Sequence, residues 1–229
     1  MSDRTELRAG FGRASTAAIL ALASCIAHGA PSGTTANCDA FPNLDSKASS
    51  PLGDAGQTLR QSGCSTQVRK VPAGNGQGES EYPVPDPRCT PGAINPTLTI
   101  DILRDPAFRT TCVRDNATTA AQKAGTYSWY QVSHPQNNTG VMQTCELDHL
   151  VSLELGGADT LDNIWPQCGP PGVVLRERFF KQKDMVENYL AKQVHDGLMK
   201  LKDAQDGIAR DWTQYLDAAT RACGSGSCR

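Results

Sequence analysis

The sequence of 229 residues has no apolar run long enough to cross a membrane and no excess of positive charge. The apolar run at residues 14–27 is shorter than the roughly 20 residues that a membrane-spanning helix needs. Lys and Arg together number 22 against 24 Asp and Glu, so the formal net charge is -2. The chain therefore lacks the overall basic field that attracts proteins to nucleic acid, and any phosphate-binding surface must be local.

The N-terminal segment has the pattern of an export signal, which we place at residues 1–30. Several arginines precede the apolar run, as in segments that direct secretion. Residues 22–25, Leu-Ala-Ser-Cys, look like a bacterial lipoprotein processing box, in which Cys25 is lipidated and anchors the chain to a membrane. Cleavage after Ala27 or Ala30 without a lipid is the alternative. The predicted location is the periplasm, the cell envelope or the extracellular medium.

Cys-x-x-Cys pairs, which are typical of structural zinc sites, are also absent, and this disfavours zinc bound through sulfur. Of the nine cysteines, Cys25 lies in the signal or carries the lipid, and setting it aside leaves eight that can pair. In an oxidising compartment such cysteines form disulfides. Eight cysteines allow 105 connectivities, and the sequence does not choose among them. Nearest spacing suggests the pairs Cys38–Cys64, Cys89–Cys112, Cys145–Cys168 and Cys223–Cys228.

The composition divides the rest of the chain into three parts. Residues 31–87 are rich in Gly, Ser, Pro, Gln and Asn and have few apolar runs, so we expect a low-complexity linker or stalk. Residues 88–222 are expected to form the folded domain, and residues 223–229 a C-terminal disulfide loop.

Hydrophobic spacing within the domain predicts both helices and strands. The expected elements are a helix within residues 97–108, a strand at 127–132, a hairpin with strands at 141–147 and from Asn163 onward, a helix at 174–194 and a second helix from Gly197 to Tyr215. The pattern is that of an α+β fold.

The densest group of chemically active side chains lies between residues 145 and 167. Glu-Leu-Asp148-His149, then Leu-Glu-Leu-Gly-Gly at 153–157, then Asn163-Ile-Trp-Pro follow one another in that order. This string resembles the motif of the HNH nuclease family. The segments at 89–96 and 204–212 look like those of exported bacterial proteins that carry such a domain, so that the resemblance covers roughly residues 88–215.

The resemblance implies an α+β fold with a ββα-metal core, in which a hairpin and a helix hold one divalent metal ion such as magnesium or manganese. We expect this core to be braced by additional helices, stabilised by disulfides and preceded by a disordered N-terminal stalk. It further implies an exported endonuclease that hydrolyses phosphodiester bonds.

The chemistry of that reaction suits the residues present. An imidazole, whose pKa is ordinarily about 6.5, can deprotonate water, and a hard divalent cation can stabilise charge at the phosphate. We assign His149 as the general base and Asp148 as a metal ligand. Neighbours in a regular strand point to opposite faces, so both serve one site only if the strand ends there. A loop through Gly156 and Gly157 permits that.

The resemblance gives Asn163 the role of bonding the backbone of the crossing loop and fixing the ring of His149. A carboxamide suits this role because it both donates and accepts hydrogen bonds. Glu146 is either a supporting acid on the same strand face or a structural residue. Glu154 is expected to be structural or solvated.

The third metal ligand has no unambiguous match, since the helix lacks the His or Asn found there in many HNH proteins. Asp184, Glu187 and Asn188 are spaced to share one helix face, and Glu187 is the preferred ligand. His195 is roughly 12 Å farther along the helix axis than Glu187, which favours a surface position.

For the substrate we expect Arg176, Arg178 and Lys183 to contact phosphates, because they form the basic cluster nearest the motif. Binding should be salt-sensitive and independent of sequence, with DNA favoured over RNA. The sequence does not identify a protein partner. The alternative is a non-catalytic envelope module, for binding or structure, built on a degenerate ββα unit.

Overall fold

The computed structural model describes residues 38–45, 62–73, 78–114, 120–224 and 228. The predicted export signal at residues 1–30, including Cys25, lies outside the described residues, as does part of the predicted stalk. The described part is an α+β fold with two small antiparallel sheets, several helices and four disulfides. No helix in these ranges is both long and apolar enough to cross a membrane.

The first sheet is a hairpin of β1 (Gln67–Pro72) and β2 (Glu79–Val84), within the segment predicted to be a stalk. It is anchored to the core at its C-terminal end, where Val84 is buried and the indole Nε1 of Trp212 donates a hydrogen bond to Pro83 O at 3.0 Å. The Tyr82 ring meets the Trp212 ring edge-on. The prediction of a stalk without core elements is therefore wrong here. Most of the hairpin is exposed, so its composition resembles that of a linker.

Two short helices follow the hairpin. Helix α1 (Ile100–Arg104) begins after Thr99, whose hydroxyl accepts a hydrogen bond from the Ile102 backbone N–H, and it confirms a shorter form of the helix predicted within 97–108. Helix α2 (Ala120–Trp129) replaces the strand predicted at 127–132, so that prediction is wrong. Tyr127 and Tyr130 are buried three residues apart, which is the spacing of one helical face rather than of a strand.

The second sheet pairs β3 (Cys145–His149) with β4 (Ile164–Cys168) and confirms the hairpin expected from the motif. Its register places Asp148 opposite Trp165, close to the loop that joins the strands. Helix α3 (Phe179–His195) follows and contacts both strands. Residues 175–177 form a 3-10 turn, so α3 begins later than the helix predicted at 174–194.

Two further helices, α4 (Leu201–Asp211) and α5 (Leu216–Cys223), pack with α3 and confirm the helical prediction after Gly197. The main core lies among these three helices, strand β2 and the loop between β3 and β4. Its fully buried side chains are Val151, Leu155, Val186, Leu190, Ala204, Ile208, Trp212 and Ala219. Removal of these apolar side chains from water is the main source of stability for the domain.

Four disulfides close the fold, and two of the predicted pairs, Cys145–Cys168 and Cys223–Cys228, are confirmed. The other two predictions are wrong, because the bonds are Cys38–Cys112 and Cys64–Cys89. The hairpin of β1 and β2 folds back on itself and brings its flanking cysteines together, which spacing alone does not show. The remaining pair lies where Phe41 packs edge-on against Phe108, with ring centroids 5.9 Å apart.

Candidate active site

The loop between β3 and β4 is held by Asn163, whose side chain is completely buried. Its Oδ1 accepts a hydrogen bond from Val151 N at 2.9 Å, and its Nδ2 donates to Val151 O and Ala158 O, each at 2.8 Å. The structure thus places Asn163 where it bonds the backbone of the crossing loop. Its hydrogen bonds go to that backbone, whereas the ring of His149 is bonded by a different residue.

The double glycine in this loop allows a close backbone approach. A Cβ at Gly157 would lie 1.8 Å from Val151 O and 2.8 Å from Asn163 Nδ2, so no side chain fits there. Gly156 has a φ of +76°, a left-handed conformation that favours glycine. Both glycines are needed for the loop to fold over Asn163.

The two segments that resembled exported HNH-domain proteins both brace this loop. From residues 89–96, Asn95 N donates to Gly156 O at 2.8 Å and Ala93 O accepts from Ala158 N at 2.9 Å. From residues 204–212, the buried Gln205 donates through Nε2 to Leu155 O at 2.8 Å. The backbone groups of the loop are therefore satisfied from three directions, which holds it in one conformation.

A cavity of about 370 Å³ opens beside the end of β3, with helix α3 as its second wall. Its polar lining residues are Thr110, Arg114, Glu146, Asp148, His149, Ser152, Glu154, Asp184, Glu187 and Asn188. The structure thus brings the predicted base, the predicted metal ligand and all three helical ligand candidates to one cavity. Glu146, expected to be either a supporting acid or a structural residue, and Glu154, expected to be structural or solvated, line the cavity as well.

Burial affects the carboxylates of this cavity. It raises the pKa of Glu187 to about 8, although the charge of Lys183 opposes the rise. It also raises the pKa of Asp148, again against the opposing effect of Lys183. The pKa of Glu146 and that of Glu154 are raised by burial and by the neighbouring charge of Asp184. Burial therefore disfavours the charged forms of these acids unless a positive group lies beside them.

Lys183 lies behind two of these carboxylates. Its side chain has no exposed surface, and its Nζ lies 2.8 Å from Asp148 Oδ2 and 2.5 Å from Glu187 Oε1. Nζ also donates a hydrogen bond to the carbonyl oxygen of His149 at 2.6 Å. Lys183 therefore joins helix α3 to the end of β3.

The imidazole of His149 is bonded to an acid that the sequence analysis missed. Its Nε2 lies 2.8 Å from Asp159 Oδ1, and Lys123 Nζ approaches the same oxygen at 2.7 Å. Burial acts to raise the pKa of Asp159, but the hydrogen bonds from His149 and Lys123 outweigh it and lower that pKa. Asp159 follows the double glycine by two residues, and its place in the same loop as Asn163 was the available signal.

The predicted basic cluster for phosphate contacts does not form. Arg176 is exposed, Arg178 is buried and donates to Pro170 O, and Lys183 is fully buried. The three side chains therefore do not share a solvent-facing surface, since Arg178 and Lys183 are both buried. The exposed Arg114 lines the cavity instead.

A wider groove of about 720 Å³ adjoins the cavity and shares Thr110, Glu154 and Asn188 with it. Its rim carries the exposed cations Arg104, Arg109 and Lys192, together with the acid Asp196. His195 also lies on this rim, exposed at the last position of α3, which agrees with the predicted surface position.

A scan against models of known protein families, a comparison with curated proteins and a comparison with solved structures each find no match. Among the described residues, no three His, Cys, Asp or Glu side chains are already arranged as a metal site. Function must therefore be inferred from the motif and from the geometry of the cavity.

Proposed function

We propose that this chain is an exported metal-dependent endonuclease of the HNH type, which hydrolyses phosphodiester bonds of nucleic acid without strong sequence preference. The observation that carries the proposal is the meeting of Asp148 and His149, from the end of β3, with Glu187, from α3, at one cavity. A hairpin followed by a helix, with an asparagine pinning the loop, is the arrangement that a ββα-metal site requires.

The donor atoms suit magnesium or manganese. Both are hard cations that prefer carboxylate, amide and water oxygens, and the cavity offers the carboxylates of Asp148 and Glu187 beside the amide of Asn188. Asp148 and Glu187 would hold the ion, and solvent would supply further ligands. When bound, the ion would stabilise negative charge at the scissile phosphate and at the leaving oxygen.

His149 would act as the general base. Asp159 accepts the hydrogen bond of the ring at Nε2, which orients the imidazole and leaves Nδ1 as the nitrogen that takes the proton of the attacking water. The low pKa of Asp159 keeps that carboxylate ionised, so it also stabilises the imidazolium that forms.

The proposed substrate is nucleic acid, with DNA favoured over RNA, bound chiefly through phosphates. Arg114 at the cavity and the cations on the rim of the adjoining groove take the place of the cluster expected from the sequence. The small number of these cations and the net charge of -2 favour weak, salt-sensitive binding. The four disulfides are compatible with a periplasmic or extracellular location.

A second candidate is the non-catalytic envelope module. It is favoured by the position of Lys183, which already neutralises part of the charge of Asp148 and Glu187. In that case the hairpin and α3 would serve as a disulfide-pinned scaffold, and the chain would bind neither manganese nor magnesium.

The deciding experiment is a supercoiled-plasmid cleavage assay with the purified, disulfide-bonded chain in magnesium, manganese or EDTA. Wild type is expected to cleave only with a divalent ion. His149→Ala should lose roughly a hundredfold or more in rate, as expected when a general base is removed. His134→Ala is the matched control, because the exposed His134 lines neither the cavity nor the adjoining groove, and it should cleave as wild type does.

Well-folded wild type that cleaves neither DNA nor RNA with any of these ions would refute the nuclease proposal and favour the module. Equal activity of His149→Ala and wild type would refute the assignment of the base while leaving the activity itself in place.

A further inference from the structure

Lys183 is fully buried beside three oxygen atoms. Its Nζ donates hydrogen bonds to Glu187 Oε1 at 2.5 Å and to His149 O at 2.6 Å, and it forms an ion pair with Asp148 Oδ2 at 2.8 Å. The two carboxyl groups lie close enough to compensate the charge of the buried ammonium group. This position rules out the role in phosphate binding that its sequence suggested.

The ammonium group of Lys183 lies on the interior side of the Asp148 and Glu187 carboxylates, away from the cavity. Asp148 and Glu187 line the cavity, whereas Lys183 does not. Asp148 Oδ2 is buried and faces Lys183. One ammonium group therefore contacts both carboxyl groups on the side away from the cavity, and Glu146, Glu154 and Asp184 line the cavity on their other side.

We infer that Lys183 is a built-in counter-cation for Asp148 and Glu187, which keeps the two carboxylates together in the metal-free protein and weakens the binding of a divalent cation at the cavity. The inference rests on the proposed function for the identity of the cation. Lys183 acts through its two partners and not on the substrate, so it is a positioning residue.

The physical reason is charge balance in a buried environment. Without Lys183, two adjacent carboxylates would be buried with no compensating charge, which destabilises a fold strongly. With Lys183 in place, a divalent ion on the cavity side of the same carboxylates is repelled by the ammonium group. The arrangement lets the chain fold without metal after export, at the expense of metal affinity.

The test compares wild type with Lys183→Met, which keeps the length of the side chain and removes its charge. We expect the melting temperature in EDTA to fall by roughly 10 °C, since a buried charge pair is broken. Manganese binding, followed by electron paramagnetic resonance well below the melting temperature, should become at least about tenfold tighter. A residue that only supports the fold would lower the melting temperature and leave manganese affinity unchanged.

Lys202→Met is the matched control, because Lys202 makes an exposed ion pair with Asp206 four residues away, at 2.6 Å. It removes the same charge from the chain and should change neither quantity. The double variant Lys183→Met with Glu187→Gln removes one charge of each sign. It should recover much of the lost melting temperature in EDTA if charge, rather than packing, is the cause.

Manganese affinity of Lys183→Met that is unchanged or weaker than that of wild type would overturn the inference. So would a Lys183→Met protein that stays unfolded even in manganese while the double variant folds, because the ion would then have failed to replace the ammonium group. Wild type that binds no manganese would instead refute the proposed function, and the melting temperatures in EDTA would still test the counter-cation role.

Discussion

Replacing Asn163 by alanine should destabilise the domain more than removal of a typical polar side chain. Asn163 makes three hydrogen bonds, all to backbone groups of the crossing loop, and is fully buried. Alanine would remove the donor and the acceptor together. The N–H and carbonyl oxygen of Val151 and the carbonyl oxygen of Ala158 would each lose a partner in a place with little access for water.

The expected loss of stability follows from those three hydrogen bonds. A buried backbone group left without a partner costs about 1–3 kcal/mol, so the lower end of the range for three groups is about 3 kcal/mol. For a domain of this size 1 kcal/mol corresponds to roughly 2–4 °C in melting temperature. We therefore expect Asn163→Ala to unfold about 6–12 °C below wild type and to lose cleavage, because the loop also carries Asp159.

Thermal unfolding followed by circular dichroism, with the disulfides intact, measures this effect. Asn188→Ala is the control, since Asn188 is half-buried on α3 and its side chain shows no hydrogen bond within the described part of the chain. Its melting temperature should stay within about 2 °C of that of wild type. Asn163→Asp is a sharper variant, because it would place a carboxylate oxygen against two carbonyl oxygens, and it should be at least as unstable as Asn163→Ala. A melting temperature of Asn163→Ala equal to that of the control would refute the reasoning.

Two further predictions concern the aspartates Asp159 and Asp86. Asp159→Asn removes the carboxylate that fixes Nε2 of the His149 ring. It should lower kcat about a hundredfold with little change in KM, and it should change the nitrogen NMR shifts of that ring. Unchanged ring shifts would contradict this role of Asp159. Hydrogen bonds from Arg88, outweighing burial, lower the pKa of Asp86 below its usual 3.8, so this contribution to stability is present above that pH and is lost as the pH falls further. Asp86→Asn should therefore show a smaller drop in melting temperature than wild type between pH 5 and pH 3, and an identical drop would count against the ion pair with Arg88.

Elements with strong local patterns were predicted well. The hairpin of β3 and β4, the long helix α3 and the helices after Gly197 all have a clear period or clear turn residues, and the structure confirms them. The strand predicted at 127–132 is wrong because aromatic residues suit the buried face of a helix as well as a strand. The hairpin of β1 and β2 was missed because it is stabilised by residues distant in sequence. Its own Tyr82 and Val84 pack in the main core, where the Tyr82 ring contacts the Trp212 ring.

The pairing of cysteines likewise could be predicted only where it follows from local structure. Pairs at the two ends of a predicted hairpin or of a short tail follow from local structure, and Cys145–Cys168 and Cys223–Cys228 were predicted correctly. The partners of Cys38 and Cys64 depend on how the segments around them fold back, and nearest spacing paired them wrongly with each other.

The order of residues in the motif by itself determined which side chains meet at the cavity from β3, because a strand that ends at His149 and a loop with two glycines leave few other arrangements. Only the tertiary structure decided which charges face one another there. Lys183, read from the sequence as a surface cation, lies between Asp148 and Glu187, and Asp159 bonds the ring of His149. Both contacts depend on the orientation of α3 and of the loop relative to the hairpin. Packing of the whole core sets that orientation, and local spacing in the sequence does not.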